Sequence, residues 1–379
     1  MEIFGFEFSV VEIIVFSALV LVFLIQVLYY LFFYGRIFFY RENSDISDVN
    51  EPVSIIVCAR NEAENLRSNL PAVVAQKYPD YEVVIVNDCS EDETEEVLKN
   101  FAEQYPHFRY TTIKKDEKFS HGKKLAVMVG IKSARNESLL FTDADCMPQS
   151  DKWLLNMSDS LKGKIEICLG YSGFHRKKGF LNMFFRYDAF FVAMHYFSFA
   201  MAGIPYMGVG RNLIYRKHLF FDNKGFAKHL DLDSGDDDLF INEVADKQNT
   251  TIKFCSDSQT KSYAPLTMSR WMRQKVRHRS TFPRYCFKHR FWLSVEPLSR
   301  LLFYSVFAVS FFLSSYFLIP LTLFLLRLIL QLIVNYSWSR RLNEKDLFLF
   351  SAVSDIFSIF TGLILVYKAY FGINKTVWK

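Results

Sequence analysis

Ser138-Leu-Leu-Phe-Thr-Asp-Ala-Asp145 decides how the chain folds: an apolar run of strand length empties into two carboxylates two residues apart. In an open α/β sheet, ligands bind beyond the carboxyl ends of the strands, so acidic residues in that place are the ones to follow. Two earlier runs end alike. Val53-Ser-Ile-Ile-Val57 leads into Cys58-Ala-Arg-Asn-Glu62, and Val83-Val-Ile-Val86 into Asn87-Asp-Cys-Ser90. Three apolar runs ending on one acidic rim imply a shared site. If the chain stays extended after Phe141, Asp143 and Asp145 leave it on the same side and can share a hard cation. Mg2+ or Mn2+ is held by one or two carboxylates, with diphosphate oxygens completing its shell.

Working outward, the region from Glu51 to about Leu293 alternates short apolar runs with amphipathic stretches, the pattern of a mostly parallel sheet covered by helices. A helix is expected through Glu64, Leu66, Leu70 and Val73, and Ser90-Glu-Asp-Glu93 fits a capping box opening a second one that runs to about Gln104. Phe108 to Ile113 reads as a further strand, and Gly122 to Ala134 as a helix. Phe180 to Met201 is rich in aromatics but carries Arg186, Asp188 and His195, so it is expected to lie on a membrane surface, with an ordinary core helix as the alternative.

Both ends of the 379-residue chain are apolar. Ile13 to Tyr34 carries no charge and is long enough to cross the roughly 30 Å hydrocarbon layer as a helix. Glu2, Glu7 and Glu12 stand where a signal peptide carries positive charge, so a retained anchor is expected. Arg36 and Arg41 follow the run, placing the segment from Glu51 onward in the cytoplasm. Leu301 to Val334 is too long for one crossing and is read as a hairpin breaking near Pro320, and a further crossing follows at 347–371. Lys375 and Lys379 at its outer end run against the positive-inside rule. The expected organisation is an anchor and linker over 1–50 with its helix at about 13–34, a cytosolic domain over 51–295 that includes interfacial helices, and a membrane region over 296–379 with crossings at about 301–318, 320–336 and 347–371.

The six cysteines are scattered without C-x-x-C spacing, which gives neither a zinc signature nor a disulfide framework. No Gly-rich phosphate loop and no G-x-G-x-x-G follows the first strand, so neither a classical nucleoside triphosphatase nor a dinucleotide enzyme is indicated. The net charge of +5 is modest. Basic residues crowd Arg270 to Arg300, where topology and contact with anionic headgroups account for much of them. Nucleic acid is not an expected partner. Asp231, Asp233, Asp236, Asp237 and Asp238 precede an apolar helical pattern. Such a group can complement a helix dipole, or hold one carboxylate ready as a general base through mutual repulsion.

Taken together, these motifs resemble glycosyltransferase family 2, an inverting group with the GT-A fold. The resemblance covers roughly residues 51 to 280 and rests on VSIIVCARNE, QKYPDYEVVIVNDCSEDET, GKKLAVMVGI, FTDADCMP, GVGRNLIYRK and SGDDDLF, in the family's order. It implies a Rossmann-like nucleotide-diphospho-sugar transferase domain flanked by transmembrane helices. Carried over, Arg60, Glu62 and Asp88 contact the nucleoside, Lys123 lies near the base or phosphates, Asp143 faces the ribose or metal, and Asp145 holds the metal. Asp237 is the expected general base, with Asp236 as its rival. Gly210, Arg211 and Asn212 fall in the acceptor loop. Processive members carry Q-x-x-R-W, and here Gln274 and Arg277 are followed by His278. Arg277 can still grip a diphosphate, and His278 stands where the acceptor-stacking indole is missing.

The implied activity is transfer of a sugar from a nucleotide donor, a UDP-sugar first, to a lipid-linked or glycan acceptor at the cytoplasmic face. The setting would be a bacterial inner membrane, with membrane lipids as partners and cell-envelope glycan synthesis as the context. A processive polysaccharide synthase of the same family and a metal-dependent nucleotidyltransferase on a related fold are the alternatives within catalysis. A non-catalytic membrane protein with a cytosolic binding module is the third class.

Overall fold

The computed structural model describes residues 2–3, 6–7, 9–42, 51–114, 122–232, 234–313 and 316–371. After a short ribbon of β1 (Glu2–Ile3) and β2 (Phe6–Glu7) come α1 (Val10–Phe32), β3 (Val53–Ala59), α2 (Ala63–Val74), β4 (Tyr81–Asp88), α3 (Thr94–Gln104), β5 (Phe108–Ile113), α4 (Lys123–Ser133) and β6 (Ser138–Asp143). Next are β7 (Cys146–Pro148), α5 (Trp153–Ser158), β8 (Ile167–Gly170), β9 (Ser172–Phe174), α6 (Phe180–Met201), β10 (Leu213–Arg216), α7 (Lys217–Asp222), α8 (Asp238–Val244), β11 (Thr250–Lys253) and β12 (Thr260–Ser262). Four helices close the chain: α9 (Met268–Arg279), α10 (Phe287–Leu313), α11 (Leu318–Arg341) and α12 (Leu347–Phe371).

A seven-stranded sheet runs in the order β11-β8-β10-β6-β3-β4-β5. β6, β3, β4 and β5 are parallel neighbours, while β10 enters antiparallel to both β6 and β8. Every residue of β3 is buried, which is why its sequence is a continuous apolar run rather than an alternating one. Ile56 and Val86 face one hydrophobic cluster; Ile55, Val57, Val83 and Ile85 face another across the sheet. Register pairs Cys58 with both Val86 and Asp143, so the acidic ends of β3, β4 and β6 share one edge. A second, three-stranded sheet, β7-β12-β9, stands beside that edge.

Several helices depart from the sequence reading for identifiable reasons. α1 starts three residues early because Ser9 and Glu12 form a reciprocal capping box. The capping box expected at Ser90 does not form, and α3 starts at Thr94. Ser90 Oγ instead accepts from the Asn61 amide at 2.9 Å, and Asp92 accepts from Ala63 and Thr94, tying the loops after β3 and β4 together. α6 keeps its expected bounds but not its expected place: most of its side chains, including Arg186, His195 and Phe190, are buried, and only Phe180 and Leu181 at its start are exposed large apolar residues. The core alternative describes all but its first turn. Asp233, Lys375 and Lys379 lie outside the described residues.

Four helices, at 10–38, 287–312, 318–341 and 347–369, are long and apolar enough to cross a membrane. Pro320 sits in the first turn of α11, where a missing N–H costs nothing. The polar residues that interrupt these helices meet one another inside the bundle. Arg327 reaches Asp355 Oδ2 at 3.0 Å and Gln26 Oε1 at 3.0 Å, while Arg300 donates to Asp355 Oδ1 at 2.9 Å. Trp338 Nε1 donates to the Tyr34 carbonyl at 3.0 Å and Arg341 to that of Tyr40 at 2.9 Å, so the end of α11 is fastened to the segment after α1.

Candidate active site

The acidic sheet edge is organised around one lysine. Lys123 opens α4; its Nζ donates to Asp143 Oδ1 at 2.9 Å and lies 3.5 Å from Asp236 Oδ2. Burial works against its charge, yet Asp143, Asp236 and Asp237 hold its pKa well above the usual lysine value. Lys123, Asp143, Asp236, Asp237 and Gly210 line one cleft together with Cys58.

Asp143 ends β6, and the chain turns at Ala144 and Asp145 rather than staying extended. Burial tends to raise the Asp143 carboxyl, but Lys123, with Arg211 and Arg277 adding to it, holds it below the usual range. Burial and the Asp143 charge push Asp145 the other way. A cation between two such carboxylates relieves their repulsion, so the pair suits a divalent metal. Among the described residues no group of three or more His, Cys, Asp or Glu is placed to hold an ion. A metal here would draw the rest of its shell from a ligand's oxygens, as Mg2+ usually does.

The three consecutive aspartates do different work. Gly235, at φ 102°, turns the chain ahead of them in a conformation that favours glycine. Asp237 caps α8: its Oδ1 accepts the Asp238 amide and its Oδ2 the Gly210 amide, both at 2.7 Å. Burial, then the Asp236 and Asp238 charges, push its carboxyl up to about 7. Asp238 turns into the core, where Thr281 Oγ1 donates at 2.5 Å and the Tyr285 hydroxyl at 2.8 Å. Asp236 accepts from no backbone donor among the described residues and faces Lys123. Asp231 pairs with Arg284 at 2.6 Å, away from this group.

At the other end of the rim, Asp88 is fully buried with Arg60 3.8 Å away. Burial pushes Glu62 up to about 7, against the opposing effect of Asn65, which donates to it at 2.5 Å. Asn61 and Cys89, directly after β3 and β4, both have left-handed backbones, with φ 56° and 53°. Non-glycine residues held in that region recur at functional sites.

α9 carries Gln274 and Arg277, and the Arg277 charge helps to hold Asp143 down. Trp271 anchors it, buried against Phe185 and donating Nε1 to Asp188 at 3.3 Å, and Lys275 pairs with the same carboxylate. His278 is exposed in the last turn. Asn212 does not reach an acceptor: it is wholly buried, accepting from Trp153 Nε1 at 3.0 Å and donating to the Tyr171 and Ser258 carbonyls at 2.8 Å. Its hydrogen-bonding capacity is spent on the fold. The sequence reading missed Asp188, Thr281 and Tyr285, whose partners on α8 and α9 are 43 to 87 residues distant and leave no local signal.

Known proteins share this chain's sequence family and fold. The model for "Glycosyl transferase family 2" matches residues 54–204, and that for "Glycosyl transferase family group 2" matches residues 133–340, more than half of the chain. Glycosyltransferase AglE of Haloferax volcanii is 34% identical over 113 residues, 29% of this chain and 36% of that protein. A poly-beta-1,6-N-acetyl-D-glucosamine synthase of Staphylococcus epidermidis is 32% identical over 101 residues, 27% of this chain and 23% of the synthase. The chain thus spans about a third or less of the length of these relatives. Mannosyltransferase PcManGT from Pyrobaculum calidifontis, solved with GDP-Man and Mn2+, shares the fold at a TM-score of 0.59 and 17% identity, over 92% of this chain and 99% of its own. The α/β domain has the GT-A fold, and the chain belongs to glycosyltransferase family 2.

Proposed function

We propose that this glycosyltransferase is a metal-dependent, inverting enzyme that moves a sugar from a nucleoside-diphosphate donor to a lipid-linked or glycan acceptor at the cytoplasmic membrane face. The observation that carries the reading is Lys123, set between Asp143 and Asp236 at 2.9 and 3.5 Å, because it puts a metal-type carboxylate and a base-type carboxylate on one cleft. Asp143 and Asp145 would hold Mg2+ or Mn2+, which supplies Lewis-acid stabilisation of the leaving diphosphate. Arg60, Glu62 and Asp88 would receive the nucleoside, and Lys123, Gln274 and Arg277 the phosphates. His278 and the Gly210 loop would border the acceptor.

Asp236 is the proposed base, in place of Asp237. Both carboxylates line the cleft, but the Asp237 oxygens already accept two backbone amides, whereas Asp236 accepts none among the described residues and lies against Lys123. Asp236 takes the proton of the acceptor hydroxyl as its oxygen bonds to the anomeric carbon. The bond to the diphosphate oxygen breaks on the opposite face, inverting that carbon. The division into an anchor over 1–50, a catalytic domain over 51–295 and a membrane region over 296–379 belongs to the same proposal, as does a bacterial inner-membrane location.

Incubating the full chain in membranes with UDP-sugars and GDP-mannose, plus Mn2+ or Mg2+, tests the reading. Release of nucleoside diphosphate is expected; pyrophosphate would point to nucleotidyl transfer. A polymeric product would support the processive alternative, which the similarity to a poly-beta-1,6-N-acetyl-D-glucosamine synthase favours.

A further inference from the structure

Arg211 is held in place by its backbone, and its charge is left for something else. Its carbonyl accepts from Thr142 Oγ1 at 3.1 Å and from Thr260 Oγ1 at 3.0 Å. That fixes the residue between the strand that delivers Asp143 and the small sheet beside it. The guanidinium lies over the Phe174 ring, 5.1 Å from its centroid, and Nη1 donates to Ser262 Oγ at 3.4 Å. Ser262 pairs with Cys146 on one side and with Phe174 on the other, so these three residues form one rung of the small sheet. Cys146 follows Asp145 and donates its thiol to Asp145 Oδ1 at 3.3 Å. The guanidinium therefore lies over the Ser262 and Phe174 members of a rung whose third member, Cys146, follows the candidate metal carboxylate.

Three cations around the site are committed elsewhere. Lys123 is paired with Asp143 and Asp236, Lys275 with Asp188, and Arg186 with Glu344 and Asp346. Arg211 forms no ion pair among the described residues; an aromatic face and a neutral hydroxyl hold it. A planar fork of donors so oriented matches the spacing of phosphate oxygens. Asp143 and Asp145 both feel its charge, which places it within electrostatic reach of the same ligand oxygens.

We infer that Arg211 is a catalytic residue that grips the phosphate oxygens of the departing nucleoside diphosphate, rather than a contact for the acceptor. The inference rests on the nucleotide-sugar reading and adds a second guanidinium to Arg277 on the leaving group. Its hold on Ser262, the strand partner of the Cys146 that bonds Asp145, assigns it to the donor. An acceptor phosphate would offer the same chemistry and is separated from it by experiment.

The test uses the full chain in detergent and reads binding as well as turnover. UDP, GDP, ADP and dTDP are titrated with Mn2+ into the wild-type protein, R211M, which keeps an apolar stem over Phe174, and R211K, which keeps the charge but loses the fork. Expected is loss of affinity for the bound nucleoside diphosphate of about tenfold or more in R211M and of several-fold in R211K, at an unchanged melting temperature. Affinity in R211M within about twofold of wild type overturns the inference. So does a loss confined to farnesyl phosphate, used as a probe of an acceptor phosphate. If the wild-type protein binds none of the four nucleotides, the transfer reading fails and takes this inference with it.

Discussion

The Gly210 amide donates to Asp237 Oδ2 at 2.7 Å, so the loop ahead of β10 and the acidic start of α8 form one unit. In the proposed mechanism Asp237 is a positioning residue and its neighbour Asp236 the base. Asp236→Asn is expected to lower the transfer rate by about a hundredfold to ten-thousandfold, the usual worth of a general base, with nucleoside diphosphate affinity retained. Asp237→Ala should instead cost about 1 kcal/mol of stability through the lost cap, with a smaller loss of rate. The reverse ranking of the two variants returns the base to Asp237.

The same pair sets a pH dependence. The Asp237 carboxyl, raised to about 7, holds a proton below that pH and is ionised above it, where it can hold the Gly210 and Asp238 amides as a charged acceptor. Transfer should fall as pH drops below about 7. Stability should move oppositely: the folded state binds a proton between the unfolded value near 4 and about 7, so this contribution is lost as pH rises through that window. Glu62, also near 7, is a proposed nucleoside contact, so its titration is expected in the donor KM and not in kcat. A flat kcat between pH 6 and 8 contradicts the assignment.

Metal dependence is expected to reside in Asp143 and Asp145. Chelation by EDTA should abolish transfer, and Mn2+ should restore it. Asp145→Asn should weaken Mn2+ binding in the presence of nucleoside diphosphate, read directly by the electron paramagnetic resonance of free Mn2+. Unaltered Mn2+ binding in that variant places the ion elsewhere.

Asn212 was expected at the acceptor and lies wholly inside the protein. Asn212→Ala strands the Trp153 indole N–H and two carbonyls, a loss of about 2 kcal/mol or more. A lowered melting temperature with donor KM close to wild type is the expected signature. An unchanged melting temperature would leave the acceptor role open.

What could be read from sequence follows from which interactions are local. β3, β4 and β6 announce themselves because a strand buried on both faces must be apolar throughout, and their acidic ends follow directly. The identity of the base does not, since it depends on an amide at Gly210 and hydroxyls at Thr281 and Tyr285 that choose among three adjacent carboxylates. Ser90 looked like a cap because its spacing to Glu93 is right; the Asn61 amide across the rim competes for its hydroxyl. α6 was misplaced because aromatics around a whole helix suit a core as well as a membrane surface. Only packing against residues such as Trp338 and Phe33, far along the chain, distinguishes the two.

The most direct test of the central claim is a paired assay of the full chain and Asp236→Asn in native membranes, with radiolabelled nucleotide sugars and Mn2+. The account predicts that one donor yields nucleoside diphosphate and labelled glycan or lipid in equal amounts, that EDTA stops both, and that the variant makes neither while still binding nucleotide. Nucleoside diphosphate and labelled product at wild-type rates from Asp236→Asn, or turnover indifferent to EDTA, would contradict it.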